Sequence, residues 1–425
     1  MTGAGPAGPL ADGLATALLA GPWTRPAMRT RGRDALGAAR TPVWLGRTVD
    51  AVLTAYPQPP ADRPRELAAF LLATAEFAKL ARRRPPPRVV SWSPVPTDVM
   101  VRPWPVELLP DHAALAGLLD VDQGELAWFA DVRGLERSSP EPLRHYRWRT
   151  VAKPGGVRVL AAPKPRLKEI QRRLLRHVFD AVPVHPAAHG GVRRRSVLTA
   201  SAPHAAQPVV VRVDLVSFFA SVRAGRVWRL LRTAGVPEGV AHTVTGLVTT
   251  VAPLPFRALD PRLRTPHLPQ GAPTSPALAN LIAFSLDRRL TGLAARFDAS
   301  YTRYADDLVF SGGRGLGAAR FLDRVGEIVR DEGFRVHDGK TAVLGRSGRQ
   351  QVLGVVLNHH PAVPRRERDA LRALLHNCAT TGWRAQARDR DDFPAHVLGR
   401  IAWVQSLDPV HGRRLRAAYD AVDWS

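Results

Sequence analysis

Two adjacent carboxylates, Asp306 and Asp307, stand inside A-S-Y-T-R-Y-A-D-D-L-V-F-S-G, the stretch from Ala299 to Gly312. Two carboxylates about 4 Å apart at an effective dielectric near 20 repel by roughly 4 kcal/mol unless a cation lies between them. An isolated Asp-Asp pair is usually just a solvated acidic turn. A third acid, Asp214, ends the β-branched run Val209-Val210-Val211-Arg212-Val213, and a charge at the end of a buried run needs a partner. If that strand pairs beside the Asp306-Asp307 segment, three carboxylates converge. Hard oxygen donors with no His or Cys nearby select Mg2+ over zinc. Two such ions roughly 3.5–4 Å apart can activate a hydroxyl and stabilise the leaving oxygen of an in-line phosphoryl displacement. The alternative is three unrelated surface acids.

The elements that must position these groups are legible nearby. The Ala299–Gly312 stretch reads as two short strands rich in Tyr, Thr, Val and Phe with a tight turn at Ala305-Asp306, so a hairpin is expected with the two acids at its tip. The 209–214 run reads as a buried strand. Leu268-Pro269-Gln270-Gly271-Ala272-Pro273-Thr274-Ser275-Pro276 is a loop at a helix start, with Ser275 a fitting N-cap and Pro276 suited to the first helical position. Such a loop can press on a base pair or present Gln270 to a sugar or base edge, although Pro and Gly clusters are commonly plain loops. Upstream, Tyr146–Val151 and Val157–Leu160 form a hairpin around Lys153-Pro154-Gly155-Gly156. Lys153 and Arg158 flank its glycine tip and suit contact with phosphates. The segments 113–119, 123–132 and 166–182 read as helices, the last with Lys168, Arg172, Arg173 and Arg176 opposite an apolar face. His189-Gly190-Gly191-Val192-Arg193-Arg194-Arg195 reads either as backbone contacts to a template or as a plain basic loop.

The 425 residues carry 61 Lys and Arg against 37 Asp and Glu, a formal charge of +24 and a pI near 11.5. An excess of that size argues for a polyanionic partner, nucleic acid above all. The Ala, Arg, Pro and Gly richness fits a GC-rich genome favouring Arg over Lys, which leaves the shortage of acids unaccounted for. A single cysteine, Cys378, excludes an internal disulfide and a Cys-rich zinc site and fits a reducing cytosol. No stretch approaches the ~20 apolar residues of a membrane helix, and the N-terminus lacks the basic start of a signal peptide. A soluble cytoplasmic protein is expected. Residues 1–62 lack sustained periodicity and are expected to be a low-complexity, partly disordered extension. Residues 63–105 read as one amphipathic helix, from Arg65 to Arg84, and a Pro-rich linker.

V-R-V-D-L-V-S-F-F-A-S-V, L-P-Q-G-A-P-T-S-P and Y-A-D-D, in that order, resemble motifs A, B and C of reverse transcriptases. The likeness runs from about Asp111 to the C-terminus and includes K-P-G-G-V-R and L-K-E-I-Q-R. It implies an α+β right-hand polymerase fold, with fingers over 106–205, an antiparallel-sheet palm over 206–358 and a small helical thumb over 359–425. It implies that Asp214, Asp306 and Asp307, with the Leu215 carbonyl, hold two Mg2+ ions, with Mn2+ as a substitute. Phe219 takes the place of the aromatic steric gate against a ribonucleotide 2′-hydroxyl. Gln270 and Gly271 line the nucleotide pocket, and Lys153 and Arg158 hold the incoming deoxynucleoside triphosphate. Lys340 stands where the family's motif D lysine approaches the leaving pyrophosphate. Leu353 and Gly354 resemble the primer-grip hairpin, and with Tyr304 and Arg193 to Arg195 make up the template and primer contacts.

Within the family the chain is most similar to bacterial retron-type enzymes. These copy part of their own structured non-coding RNA into a branched or linked DNA, and many act in defence against phage with an effector protein. Three positions depart from the pattern: V-T-G reads Val352-Leu353-Gly354, N-A-x-x-H keeps only its histidine in Ala200-Ser201-Ala202-Pro203-His204, and His337 replaces the usual motif D asparagine. A group II intron maturase is the sister reading. The stretch after Asn358 is short for a thumb plus a DNA-binding region, and Cys ligands for an endonuclease module are missing. A non-catalytic RNA-binding defence protein on the same scaffold is the remaining alternative.

Overall fold

In the computed structural model, Leu10, Leu14 and Leu18 recur four apart along one face of a helix, Gly8–Leu19, and are fully or almost fully buried. The structure describes residues 8–60, 64–80, 82–83, 85–90, 103–131, 134–136, 139–153, 156–317, 319–387 and 390–424. Helices Arg25–Ala35 and Val43–Ala55 follow, adding Met28, Trp44, Leu45, Val49 and Val52 to the same core. The expectation of a partly disordered extension over 1–62 is therefore corrected for 8–55. The prolines that suggested disorder are punctuation: Pro26 lies in the first turn of one helix and Pro42 is the N-cap of the next. The single helix expected over 65–84 is instead Pro64–Ala73 and Ala75–Leu80. Thr74 breaks it, its hydroxyl donating to the Leu71 carbonyl at 2.6 Å and accepting from the Phe77 amide at 3.4 Å. Most of the expected linker, 91–102, lies outside the described residues, as do Pro154 and Gly155.

The chain divides into two units. The first comprises residues up to Pro183 together with Arg223–Ser275. Beyond the N-terminal helices it holds His112–Leu119 and Gln123–Phe129, each begun by an aspartate whose side chain accepts from the first turn. Strands β1 (Tyr146–Lys153) and β2 (Gly156–Pro163) form the expected antiparallel hairpin, with Val151 opposite Arg158. The helix expected over 166–182 is α-helical over Pro165–Leu174 and widens to a π-turn at Leu175–Phe179.

The second unit comprises Val184–Val222 and Pro276–Ser425. It contains a four-stranded antiparallel sheet built from β3 (Val209–Asp214), β4 (Ser300–Tyr304), β5 (Asp307–Gly312) and β6 (Ala342–Gly345), in the order β4-β5-β3-β6. A small hairpin, β7 (Gln351–Val352) and β8 (Val355–Val356), turns through Leu353 and Gly354 at φ 52° and 80°. That pair of left-handed residues is the two-residue turn matching strand twist. Helices Arg365–Thr381, Phe393–Leu407 and Pro409–Asp420 put Leu371, Leu375, Val397, Ile401, Val404 and Leu415 into one core with Val210, Val309, Val352 and Val355.

The α+β class expected from the sequence is the one adopted, but the unit boundaries differ from the expected ones. Residues 184–205, expected in the fingers, join the sheet because Ala188 pairs in parallel with Arg303 and His204 bonds to β4 and β5. Residues 223–275, expected in the palm, fall in the first unit, where the Leu247 carbonyl accepts from Gln171 at 2.8 Å and the Gln270 carbonyl from the Ala161 amide at 2.8 Å.

Candidate catalytic centre

Residue 214 lies directly opposite residue 307 in the β3–β5 register, so two of the three acids sit on adjacent strands. Tyr304 pairs with Asp307 across the β4–β5 hairpin, leaving Ala305 and Asp306 as its two-residue turn, with Ala305 at φ 54°. The Leu215 amide donates to the Asp306 carbonyl at 2.9 Å, tying the end of β3 to the turn. The Asp214 carbonyl accepts from the His337 amide at 2.8 Å, and the short turn Asp338–Lys340 follows. That anchor brings the Lys340 Nζ to 3.0 Å from both Asp214 carboxylate oxygens.

The electrostatics are those of an acid-rich pocket. Asp214 is buried and Asp307 half-buried. Burial first, then the charges of Asp306 and Asp214, push the Asp307 carboxyl up to about 6. The donors are carboxylate oxygens, the chemistry a hard divalent ion selects, and an ammonium already stands on one of them. Among the described residues no three acidic, His or Cys side chains converge on one metal position as they stand. Asp214 is held by Lys340, whose ammonium occupies the place a cation would take beside it; in donor type, three carboxylates on one turn and its neighbouring strand fit a hard divalent ion.

Phe219 lies in the short helix Phe218–Ser221, its ring 5.6 Å from that of Phe218, which packs on Phe334 at 5.4 Å. Phe218, Phe219, Tyr304, Ala305, Gly190, Gly191, Pro276 and Asn280 enclose a cavity of about 130 Å³. The glycine loop is part of the support for the Ala305-Asp306 turn. A Cβ on Gly190 would lie 2.6 Å from the Ala305 nitrogen, and one on Gly191, at φ 70°, 2.7 Å from Pro276. Arg193 and Arg194 are exposed. Arg195, grouped with them as a template contact, has its guanidinium on the carbonyls of His185, Pro186 and Ala188.

In the first unit, Lys153 and Arg158 are exposed near the turn end of the β1–β2 hairpin, where Lys153 pairs with Gly156 and Val151 with Arg158. Gly271 takes φ 123°, and a Cβ there would meet the Ala161 carbonyl at 3.3 Å, so the Gln270-Gly271 loop lies flat against β2. Ser275 is a correction. It is the first residue of the helix Ser275–Ile282 rather than its N-cap, and its hydroxyl donates back to the Pro269 carbonyl at 2.7 Å, closing the loop on itself.

Sequence reasoning singled out His204 only as the survivor of a signature. In the structure it is fully buried and bonded to both strands of the β4–β5 hairpin, Nδ1 to Ser311 Oγ at 2.7 Å and Nε2 to Thr302 Oγ1 at 2.8 Å. It also missed Arg303, fully buried on Asp287. The signal available was a charged residue amid the apolar strand T-R-Y.

Among the described residues no helix is long and apolar enough to cross a membrane. The family model of the reverse transcriptase (RNA-dependent DNA polymerase) matches residues 150–357. Retron Mx65 reverse transcriptase of Myxococcus xanthus is 41% identical over 328 residues, 73% of this chain and 74% of the relative. Retron Mx162 reverse transcriptase of the same organism is 39% identical over 72% of this chain and 65% of the relative. Retron Ec86 reverse transcriptase of Escherichia coli is 29% identical over 67% and 86%. The matched region contains Asp214, the Leu268–Pro276 loop, the Asp306-Asp307 turn and Lys340, and with relatives this similar over this much of the chain, it belongs to the retron-type reverse transcriptases, RNA-directed DNA polymerases of the right-hand fold.

Proposed function

We propose that this polymerase copies a structured non-coding RNA into DNA by nucleotidyl transfer at Asp214, Asp306 and Asp307, with a pair of Mg2+ ions, or Mn2+ in their place. The observation that carries the reading is the register of Asp214 on Asp307 with a cation already at Asp214. The ions would supply activation of the primer 3′-hydroxyl and charge neutralisation on the transferring phosphate. The new 3′-oxygen–phosphorus bond forms as the bond to pyrophosphate breaks. Lys340, released from Asp214, holds a proton that its ammonium can give to the departing pyrophosphate oxygen. Phe219 occupies the gate position and crowds a 2′-hydroxyl. Lys153 and Arg158 would grip the triphosphate, with Gln270 and Gly271 against the nucleotide. Arg193 and Arg194 offer charge to the template backbone, and the Leu353-Gly354 turn to the primer. Arg195 shapes the loop that carries them.

The retron-type resemblance supports the same setting here: a cytoplasmic enzyme in anti-phage defence, with an effector protein as partner and a branched or linked DNA as product. The net charge of +24 is consistent with a partner RNA. Two experiments test this. Asp306→Ala or Asp307→Ala should abolish Mg2+-dependent primer extension on RNA while leaving the circular dichroism spectrum unchanged; extension near the wild-type rate would remove this site. Sequencing nucleic acid that co-purifies with the protein should return one structured RNA joined to its DNA copy, and recovery of bulk cellular RNA alone would refute the retron assignment.

A further inference from the structure

Arg303 is 0% exposed, on β4 just before the catalytic turn, and its guanidinium is fully engaged. Nε donates to Asp287 Oδ1 at 2.8 Å and Nη2 to Asp287 Oδ2 at 2.7 Å, a two-pronged pair with a carboxylate that is itself 0% exposed. Nη1 donates to Asn280 Oδ1 at 2.9 Å and to the Ala305 carbonyl at 3.2 Å. The Tyr301 hydroxyl adds a donor to Asp287 Oδ1 at 2.8 Å, and Asn280 Nδ2 donates to the Gly190 carbonyl at 2.8 Å. The guanidinium carbon lies 5.5 Å from the centre of the Phe218 ring.

Stability alone does not account for this cluster. Replacing a buried ion pair with apolar side chains of similar volume is often neutral or stabilising, because desolvation offsets the attraction. What a planar guanidinium supplies is direction: its donors leave in one plane at set angles. Here one prong reaches the carbonyl of Ala305, a non-glycine residue in the left-handed region, a backbone conformation unfavourable for an L side chain. Gly190, held by Asn280, closes on the amide of the same residue. The turn is therefore hydrogen-bonded at the Ala305 carbonyl and closely packed by Gly190 at the Ala305 nitrogen, through groups that Asn280 links, and the next residue is Asp306. The same guanidinium lies against Phe218, on which the gate residue Phe219 packs.

We propose that Arg303, locked by Asp287 and Asn280, is a positioning residue that sets both the acid-bearing turn and the bed of the gate aromatic. Metal placement and sugar discrimination are then coupled through one buried side chain. This rests on the catalytic reading of Asp214, Asp306 and Asp307 given above.

Arg303→Lys tests it against Tyr301→Phe. Lysine keeps a charge for Asp287, but one ammonium cannot reach Asp287, Asn280 and the Ala305 carbonyl in the same geometry. Phenylalanine removes a donor to Asp287 and touches neither Ala305 nor Phe218. Arg303→Lys should weaken Mn2+ binding, read by electron paramagnetic resonance without substrate, at least about fivefold, and raise the ribonucleotide-to-deoxynucleotide ratio of kcat/KM about tenfold. Tyr301→Phe should leave both within about twofold while lowering the melting temperature comparably. Both quantities unchanged in Arg303→Lys, or moved equally by Tyr301→Phe, would overturn the proposal and leave a structural role only. Should Arg303→Lys fail to fold, Asn280→Ala keeps the Asp287 pair and should shift both readouts the same way by at least about threefold; wild-type values overturn the proposal. Absence of primer extension by the wild-type protein would instead overturn the catalytic reading itself.

Discussion

His204 predicts a specific pH dependence of stability. The Thr302 hydroxyl donates its hydrogen to the Ala200 carbonyl at 2.9 Å, so it can only accept from the ring. That makes Nε2 the protonated nitrogen and leaves Nδ1 to accept from Ser311. The ring is neutral, and burial, with a smaller push from His189, brings its pKa from 6.5 down to about 4. The folded value lies below the unfolded one, so protonation favours unfolding. The stabilisation is present in full above about pH 6.5 and is lost as the pH falls towards 4. A shift of this size corresponds to about 3 kcal/mol at completion, of which about 2.5 kcal/mol is lost between pH 7.5 and 4.5. His204→Gln cannot titrate and should be less stable at pH 7.5 by about 1–3 kcal/mol, from imperfect replacement of two buried hydrogen bonds. Urea unfolding at the two pH values should show wild type losing that extra stability and the variant not, so the gap between them narrows. Nitrogen-15 shifts of the imidazole should report the Nε2–H tautomer. Parallel losses in the two proteins, or a ring titrating near 6.5, would refute the argument.

Phe219→Ala or Phe219→Val should raise ribonucleotide incorporation at least about tenfold, measured as the ratio of kcat/KM for the two sugars; unchanged selectivity removes Phe219 from the gate. Leu45→Ala in the N-terminal core should cost about 2–5 kcal/mol, read as a lower unfolding midpoint. An unaltered midpoint would mean that the segment is not packed as described.

The elements that carry the candidate acids were legible because their context is local. A β-branched run, an Asp-Asp turn between two short aromatic strands and a Gly-Gly hairpin each announce their geometry within about ten residues. Pairing of the Asp214 strand beside the hairpin was a condition the sequence could only pose, and the β3–β5 register meets it. What escaped depends on partners far along the chain. Leu10, Leu14 and Leu18 sit in an Ala- and Gly-rich background, and only packing against Met28, Leu45 and Leu67 marks them as core. Arg303 meets Asp287 sixteen residues earlier, from helix to strand, with no spacing rule to pair them. His204 is separated from Ser311 by more than a hundred positions. The boundary near 205 was misplaced for a related reason, since residues 184–205 attach to the sheet through the Ala188–Arg303 backbone pairing and through His204, whose partners lie about a hundred residues on.

The core that Val210 and Val309 share with Leu371, Val397 and Ile401 carries an evolutionary consequence. The C-terminal helical segment, from Arg365 on, is not a detachable appendage that could be lost or exchanged while the acid-bearing strands stay intact. A gene truncated ahead of Phe393 would strip the cover from the sheet and yield an aggregating polypeptide, not a slower copyist. Lineages of this enzyme should accordingly vary the exposed side chains of the C-terminal helices while preserving the inward-facing ones, because every reshaping of that buried seam is felt at the acid-bearing strands.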